Sequence, residues 1–222
     1  MQHSSNFIPY EHPLPFTQEQ SYKNVLNFYH FMETRRSLRA FSDRPVDQQT
    51  IELIIKTAAT APSGAHKQPW TFCAVQNPSI KKQIREAAEK EEYESYHGRM
   101  SEEWLNDLKP FETDWHKPFL ESAPWLIVIF KKIYDWDGEG KKTNYYVNES
   151  VGIATGLLIT AIHHAGLVTL THTPSPLNFL STILDRPSNE RPFLLLPVGY
   201  PPENAMVPDL KRKEMVEVCV VY

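Results

Sequence analysis

The stretch PWLIVIFK, residues 124–131, decides the fold class. It is apolar without alternation from Trp125 to Phe130, which a strand with one wet face would not be, so it reads as a central strand. Strand-like runs recur at 70–75, 167–171 and 192–199, the last leading into Tyr200-Pro201-Pro202. Helical spacing separates them irregularly. One helix is expected over 18–34, with Val25, Phe28, Tyr29 and Met32 on one face. Pro45-Val46-Asp47 opens a second, whose buried stripe is Ile51, Ile54, Ile55, Ala58 and Ala59 and which Pro62 and Gly64 end. A charged helix is expected from 78 to about 96, one that is apolar nearly all round over 145–164, and a short one over 176–184. Residues 97–118 are polar, broken by Trp104, Phe111 and Trp115. The final 216–222 is strand-like and reads as an extension away from its own core. The pattern gives α+β with a central sheet.

The chain has 222 residues, 41% of them hydrophobic and 12% aromatic, enough for one sizeable core and a single domain over 1–222. Its first 16 residues, rich in Pro, His and Ser, read as an arm. A formal net charge of −4 argues against a nucleic-acid binder, which usually carries a basic excess. The polar start lacks the apolar core of a secretory signal. The longest apolar stretch, 151–165, is shorter than the ~20 residues that cross a bilayer and carries Thr155, Thr160, His163 and His164. Two cysteines, Cys73 and Cys219, make no disulfide framework and fit a reducing compartment. The expectation is a cytoplasmic protein with no membrane span. Adjacent His163 and His164 would point ~100° apart on a helix, so no metal site is expected.

Two short segments carry chemistry. Arg35, Arg36 and Arg39, with Ser37 between them, can grip a phosphate bidentately, though the same residues also suit a solvated helix end. Pro62-Ser63-Gly64-Ala65 can bring a hydroxyl and backbone N–H groups close to a flat ligand, or simply end a helix. Neither a G-x-G-x-x-G nor a P-loop pattern occurs. Lys211-Arg212-Lys213 adds a basic cluster that also reads as a solvated loop. Thr171-His172-Thr173 follows a strand, where hydroxyls could meet a ligand. Glu92 and Tyr96, four apart, share a helix face, and Lys117 follows the aromatic stretch. Together these three could hold a zwitterion such as an amino acid, although charged helices carry such residues everywhere.

Six stretches in this order resemble the nitroreductase superfamily of flavoproteins, and within it the iodotyrosine deiodinase family: RRSLRAFSDRPV (35–46), TAPSGAHKQPWTF (60–72), EEYESYHGRM (91–100), GLVTLTHTP (166–174), LLPVGYP (195–201) and VPDLKRK (207–213). The likeness spans roughly residues 25–215. It implies a mixed sheet flanked by helices in an intertwined homodimer, with FMN at the interface and residues 91–118 as an active-site lid. It implies that Arg35, Arg36, Ser37, Arg39, Ser63, Gly64, Thr171, His172, Thr173 and Arg212 bind FMN. Thr173 would donate to flavin N5 and act in catalysis. Glu92, Tyr96 and Lys117 would grip the ammonium and carboxylate of a halotyrosine, and the Ala65 N–H would meet its phenolate. The implied activity is FMN-dependent removal of iodide, bromide or chloride from halotyrosines, with NAD(P)H or a separate reductase as electron source.

Two features depart from that pattern. Membrane-anchored members carry an N-terminal transmembrane segment and this chain reads as a soluble, bacterial-type version. His172 stands where other members have threonine, so its contact with FMN could run through backbone or side chain. The competing reading is a general FMN nitroreductase or quinone reductase using NAD(P)H, which needs no amino-acid grip. A flavin-storage or halotyrosine-binding protein would need no N5 donor.

Overall fold

A computed structural model describes residues 7–11 and 16–222; of the expected arm, residues 1–6 and 12–15 lie outside the described set. The chain divides into two compact units at the Arg35–Arg36 junction. The first contains α1 (Gln18–Glu33), opened by a capping box. The Gln20 N–H donates to Thr17 Oγ1 and the Thr17 N–H donates back to Gln20 Oε1 at 2.9 Å, satisfying two helix-end donors. No residue of α1 is buried, and Val25 and Phe28 on its apolar face are exposed.

The second unit holds the other elements. They are α2 (Gln48–Ala58), β1 (Trp70–Val75), α3 (Pro78–Glu94), α4 (Glu102–Leu108), α5 (Phe119–Ser122), β2 (Trp125–Lys132), β3 (Tyr134–Trp136), β4 (Lys141–Thr143), α6 (Val147–His164), β5 (Val168–Thr169), α7 (Phe179–Ile183), β6 (Glu190–Gly199) and α8 (Met215–Val218). The main sheet has the order β1-β2-β6-β5, so β2 is interior, as its composition requires. Every pairing of these strands is antiparallel. The mixed character expected of the sheet rests on one parallel bridge, Ser37 with Thr169.

The pleat of β2 sorts its side chains into two cores. Ile127 and Ile129 join Leu196 and Val198 against Ile51, Ile54 and Ala58 of α2 and Val151, Ala154, Leu158 and Ile162 of α6. Leu126, Val128 and Phe130 join Leu195 on the opposite face, against Ile84 and Ala88 of α3, Leu120 of α5 and Leu180 of α7. The uninterrupted apolar run therefore reflects helices on both faces.

Asp47 caps α2 by accepting from the Thr50 N–H at 2.8 Å. Gly166 follows α6 at φ +72°, a left-handed conformation that suits glycine. Three segments differ from expectation. The expected polar stretch 97–118 contains α4, because Ser101 caps that helix by accepting from the Trp104 N–H. A hairpin, β3–β4, closes over Asp137, whose Oδ1 accepts from the Glu139 and Gly140 N–H groups at 3.0 Å. The start of the strand-like C-terminus instead falls in the short α8, because Glu214 and Glu217 make a capping box, and the chain turns extended again at Cys219; residues 211–222 are all exposed.

Phe130 is fully buried between β2 and α3. Phe130→Ala is expected to lose about 3–5 kcal/mol of stability, seen as a lower denaturation midpoint at unchanged slope.

Candidate active site

The charged face of α3 builds the site. Ile84 and Ala88 anchor the helix to the sheet, which turns Glu89, Glu92 and, beyond its end, Tyr96 toward α5. Residues 95–99 continue as a π-helical turn, closed by the Met100 N–H donating to the Ser95 carbonyl at 2.9 Å. Such turns are frequent at functional sites. Arg99 fastens this turn, donating to Glu91 Oε2 at 2.8 Å and to the Ser175 carbonyl at 2.7 Å.

A cavity of about 190 Å³ lies between these elements and the strand end at 171–173. Arg39, Glu92, Tyr96, Lys117, Thr171, His172 and Thr173 line it, so seven of the residues singled out in sequence meet at one place. Lys117 Nζ lies 3.7 Å from Glu92 Oε2, an ion pair slightly too long for a hydrogen bond, with side-chain exposures of only 4% and 10%. The ammonium also donates to Thr113 Oγ1 at 3.3 Å and to the Asp114 carbonyl, and it sits 5.4 Å from the Tyr96 ring centroid. The Tyr96 hydroxyl donates to the Thr113 carbonyl at 3.3 Å.

Burial sets the protonation of these groups. It pushes the Glu92 carboxyl up, with Lys117 opposing, and pulls the Lys117 ammonium down, with Glu92 and Asp114 opposing. Burial likewise lowers Arg39, whose guanidinium carbon lies 5.6 Å from the Phe111 ring centroid, and raises Tyr96.

Beyond β5 the chain stays extended through the His172–Leu195 bridge, and its Thr-His-Thr segment is sorted by simple alternation. Thr171 and Thr173 are exposed while His172 is buried, edge-on to Phe119 with ring centroids 5.6 Å apart. The His172 N–H donates to the Leu195 carbonyl at 2.8 Å and its carbonyl accepts from the Leu195 N–H at 3.2 Å. Its Nε2 has no hydrogen-bond partner. Burial, with Lys117 and Arg39 nearby, drives its pKa down to about 3.

The remaining expected residues lie outside the cavity walls. Arg36 donates to the Pro208 carbonyl, four residues before Arg212. Ser37 is exposed and bridges Thr169, and the Leu38 N–H donates to the Thr169 carbonyl at 3.2 Å. Ser63 Oγ accepts from the Gln68 N–H at 2.9 Å. Gly64 lies where a Cβ would come within 2.9 Å of the Tyr145 carbonyl, so no larger residue fits without a shift. Ala65 is exposed in the left-handed region at φ 48°. Arg212 is exposed, and Arg35 belongs to the N-terminal unit. Sequence reasoning missed Met100, Trp104, Leu108, Thr113, Phe119 and Leu170 in the cavity wall. The aromatic interruptions within 97–118 were the available signal.

The Nitroreductase family profile matches residues 32–200. This chain belongs to the nitroreductase family. Among curated members, an iodotyrosine deiodinase of Haliscomenobacter hydrossis is 61% identical over the whole length of both chains. The human iodotyrosine deiodinase 1 is 45% identical, covering 96% of this chain and 74% of its own. A solved iodotyrosine deiodinase, bound to FMN and 3-iodo-L-tyrosine, superposes with a TM-score of 0.75 at 30% identity, covering 88% of this chain and 98% of its own. A Bacteroides fragilis nitroreductase at 19% identity and TM-score 0.64 shares the nitroreductase fold.

The buried imidazole makes a pH prediction. The folded His172 stays neutral where the unfolded one, with its ordinary value of 6.5, takes up a proton. Its contribution is therefore fully present above pH ~6.5 and is lost as pH falls toward 3. Between pH ~7.5 and ~5 the protein should lose about 2 kcal/mol more stability than His172→Gln does, measured by denaturant unfolding at each pH.

Proposed function

We propose that this nitroreductase-family protein is an FMN-dependent reductive dehalogenase that removes iodide, and also bromide or chloride, from halotyrosines to give tyrosine. The observation that carries the reading is the convergence of Glu92, Tyr96 and Lys117 in one cavity with Thr171 and Thr173. A buried cation and a buried carboxylate 3.7 Å apart match the ammonium and carboxylate of an amino acid. A general nitroreductase has no use for such a pair. The identity with iodotyrosine deiodinases along the whole chain supports the same assignment.

The donor set suits FMN. Guanidinium groups at Arg35, Arg36, Arg39 and Arg212, with the Ser37 hydroxyl, provide for the phosphate and the polar ring edge. Thr171 and Thr173 present exposed hydroxyls at a strand end, and Ser63-Gly64 forms a tight turn. His172 contributes through position rather than through its side chain, which points inward. Reduced FMN supplies two electrons, which with one proton replace the carbon–halogen bond by carbon–hydrogen. The chain's own residues do the rest. Lys117 and Glu92 fix the amino-acid head, and Tyr96 packs over it. The Ala65 N–H holds the phenolate oxygen, Thr173 offers a proton toward flavin N5, and the 91–118 segment shields the ring from water.

The working unit in this reading is one FMN domain over 1–222 in an intertwined homodimer. In its support, Gly152, Ile153 and Gly156 form an exposed face on α6 in which a large hydrophobic stands beside two glycines with open space next to them. The C-terminal Met215, Val216, Val218, Val220 and Val221 are exposed as well. We assign the enzyme to the cytoplasm, reduced by NAD(P)H or by a separate reductase. No described helix is long and apolar enough to cross a membrane.

Anaerobic mixing of the reduced, FMN-loaded protein with 3-iodo-L-tyrosine should give rapid flavin reoxidation and stoichiometric iodide. Reaction with a nitroaromatic but not with iodotyrosine would overturn the assignment. A charged hydrogen bond contributes ~1.5–3 kcal/mol, so Lys117→Ala should weaken iodotyrosine binding roughly ten- to a hundredfold and leave FMN retained. Arg36→Ala should do the reverse, losing FMN on gel filtration. Release of flavin by Lys117→Ala would contradict the separation of substrate grip from cofactor cradle.

A further inference from the structure

Glu89 belongs to none of the motifs that carry the chemistry, yet it makes the contact that fixes Lys117 in space. Its Oε1 accepts from the Lys117 backbone N–H at 2.8 Å. Its Oε2 accepts from Arg85 Nη1, and the same guanidinium donates through Nε to Glu121 of α5. The Glu89 side chain is 13% exposed, so little water competes for these bonds. On the other side of Lys117, its carbonyl accepts from the Leu120 N–H at 3.0 Å and begins α5.

Three positions of one helical segment therefore act on a single residue. Glu89 holds the backbone of Lys117, Glu92 faces its ammonium at 3.7 Å, and the Tyr96 ring lies 5.4 Å from that ammonium. Spacings of three and then four residues keep all three on one face, which makes α3 a rigid ruler for the lysine. A lysine has four rotatable side-chain bonds, so its ammonium is only as well placed as its Cα.

We infer that Glu89, supported by Arg85, is a positioning residue for the substrate head group: it presents Lys117 to the carboxylate of the bound amino acid without touching the substrate. This rests on the halotyrosine reading above, in which Lys117 binds that carboxylate. The consequence is selective. Disturbing Glu89 affects ligands that carry an amino-acid head and spares those that carry only the halogenated ring.

The test uses FMN-loaded protein titrated with 3-iodo-L-tyrosine and with 2-iodophenol, followed by the change in the flavin spectrum. The wild type should bind iodotyrosine much more tightly than iodophenol. Glu89→Leu should weaken iodotyrosine binding about five- to twentyfold, leave iodophenol binding within twofold, and keep FMN. Glu89→Gln, whose amide oxygen can still accept the Lys117 N–H, should recover most of the loss. If Glu89→Leu weakens both ligands equally, or releases FMN, the residue is merely structural and the inference falls. Unchanged binding of both ligands would overturn it too. A wild type without preference for iodotyrosine would instead overturn the underlying halotyrosine reading. Should the leucine variant not fold, hydrogen exchange in the unmodified protein keeps the test open. The Lys117 amide should be protected to the same degree as the buried α5 amides, and rapid exchange there would contradict the clamp.

Discussion

The arrangement turns on one constraint: a lysine and a glutamate held 3.7 Å apart, almost wholly out of water. Removing two charges from solvent costs several kcal/mol for each, and a mutual attraction offsets this only with good geometry and further hydrogen bonds. Here the offset is assembled from neighbours. Thr113 and Asp114 accept from the Lys117 ammonium, the Tyr96 ring faces it, and Glu89 holds its backbone. A hydrophobic pair would pack there at less expense, so the retained charges point to recognition. In the proposed reading, a zwitterion brings the complementary pair of charges and satisfies both partners at once.

That pair depends on the sheet. β2 is apolar on both faces, so α3 must lie against one of them, and Ile84 and Ala88 fix its rotation. The rotation points Glu89 and Glu92 at α5, and the π-helical turn carries Tyr96 into the same cavity. At the other end of the turn, Arg99 reaches the Ser175 carbonyl, two residues beyond Thr173. The start of the segment between Arg99 and Lys117 is thereby tied to the chain just beyond Thr171-His172-Thr173, and its far end is tied to α3 through Glu89. The proposed substrate grip and the proposed cofactor edge are parts of one hydrogen-bonded frame.

Much of this was legible in the residues. The run 124–131 declared an interior strand, and the stripe Ile51, Ile54 and Ala58 declared a buried helix face, because each pattern depends on local period alone. The pairing of Glu92 with Tyr96 was readable from their spacing. Lys117 was not, since the long polar stretch before it leaves its distance from Glu92 to tertiary packing. Glu89 was invisible among Glu86, Glu91 and Glu94, because only the fold decides which acid on a charged helix faces inward. The residues alone do not say whether His172 acts through backbone or side chain; its backbone bridge to Leu195 and its burial beside Phe119, set by the fold, turn the ring away from the two exposed threonines. The C-terminal residues misled in the opposite direction: with no described strand paired to it, the start of a β-branched run yields to a capping box and joins α8, while Cys219 is extended.

The central claim is that both charges of an amino-acid head are read by Lys117 and Glu92. Comparing the dissociation constants of 3-iodo-L-tyrosine and its N-acetyl derivative for the FMN-loaded protein tests it most directly. Acetylation removes the ammonium, leaves the carboxylate and the iodinated ring, and so strands the buried Glu92. The account predicts at least tenfold weaker binding of the acetylated ligand. Equal affinity for the two would contradict it.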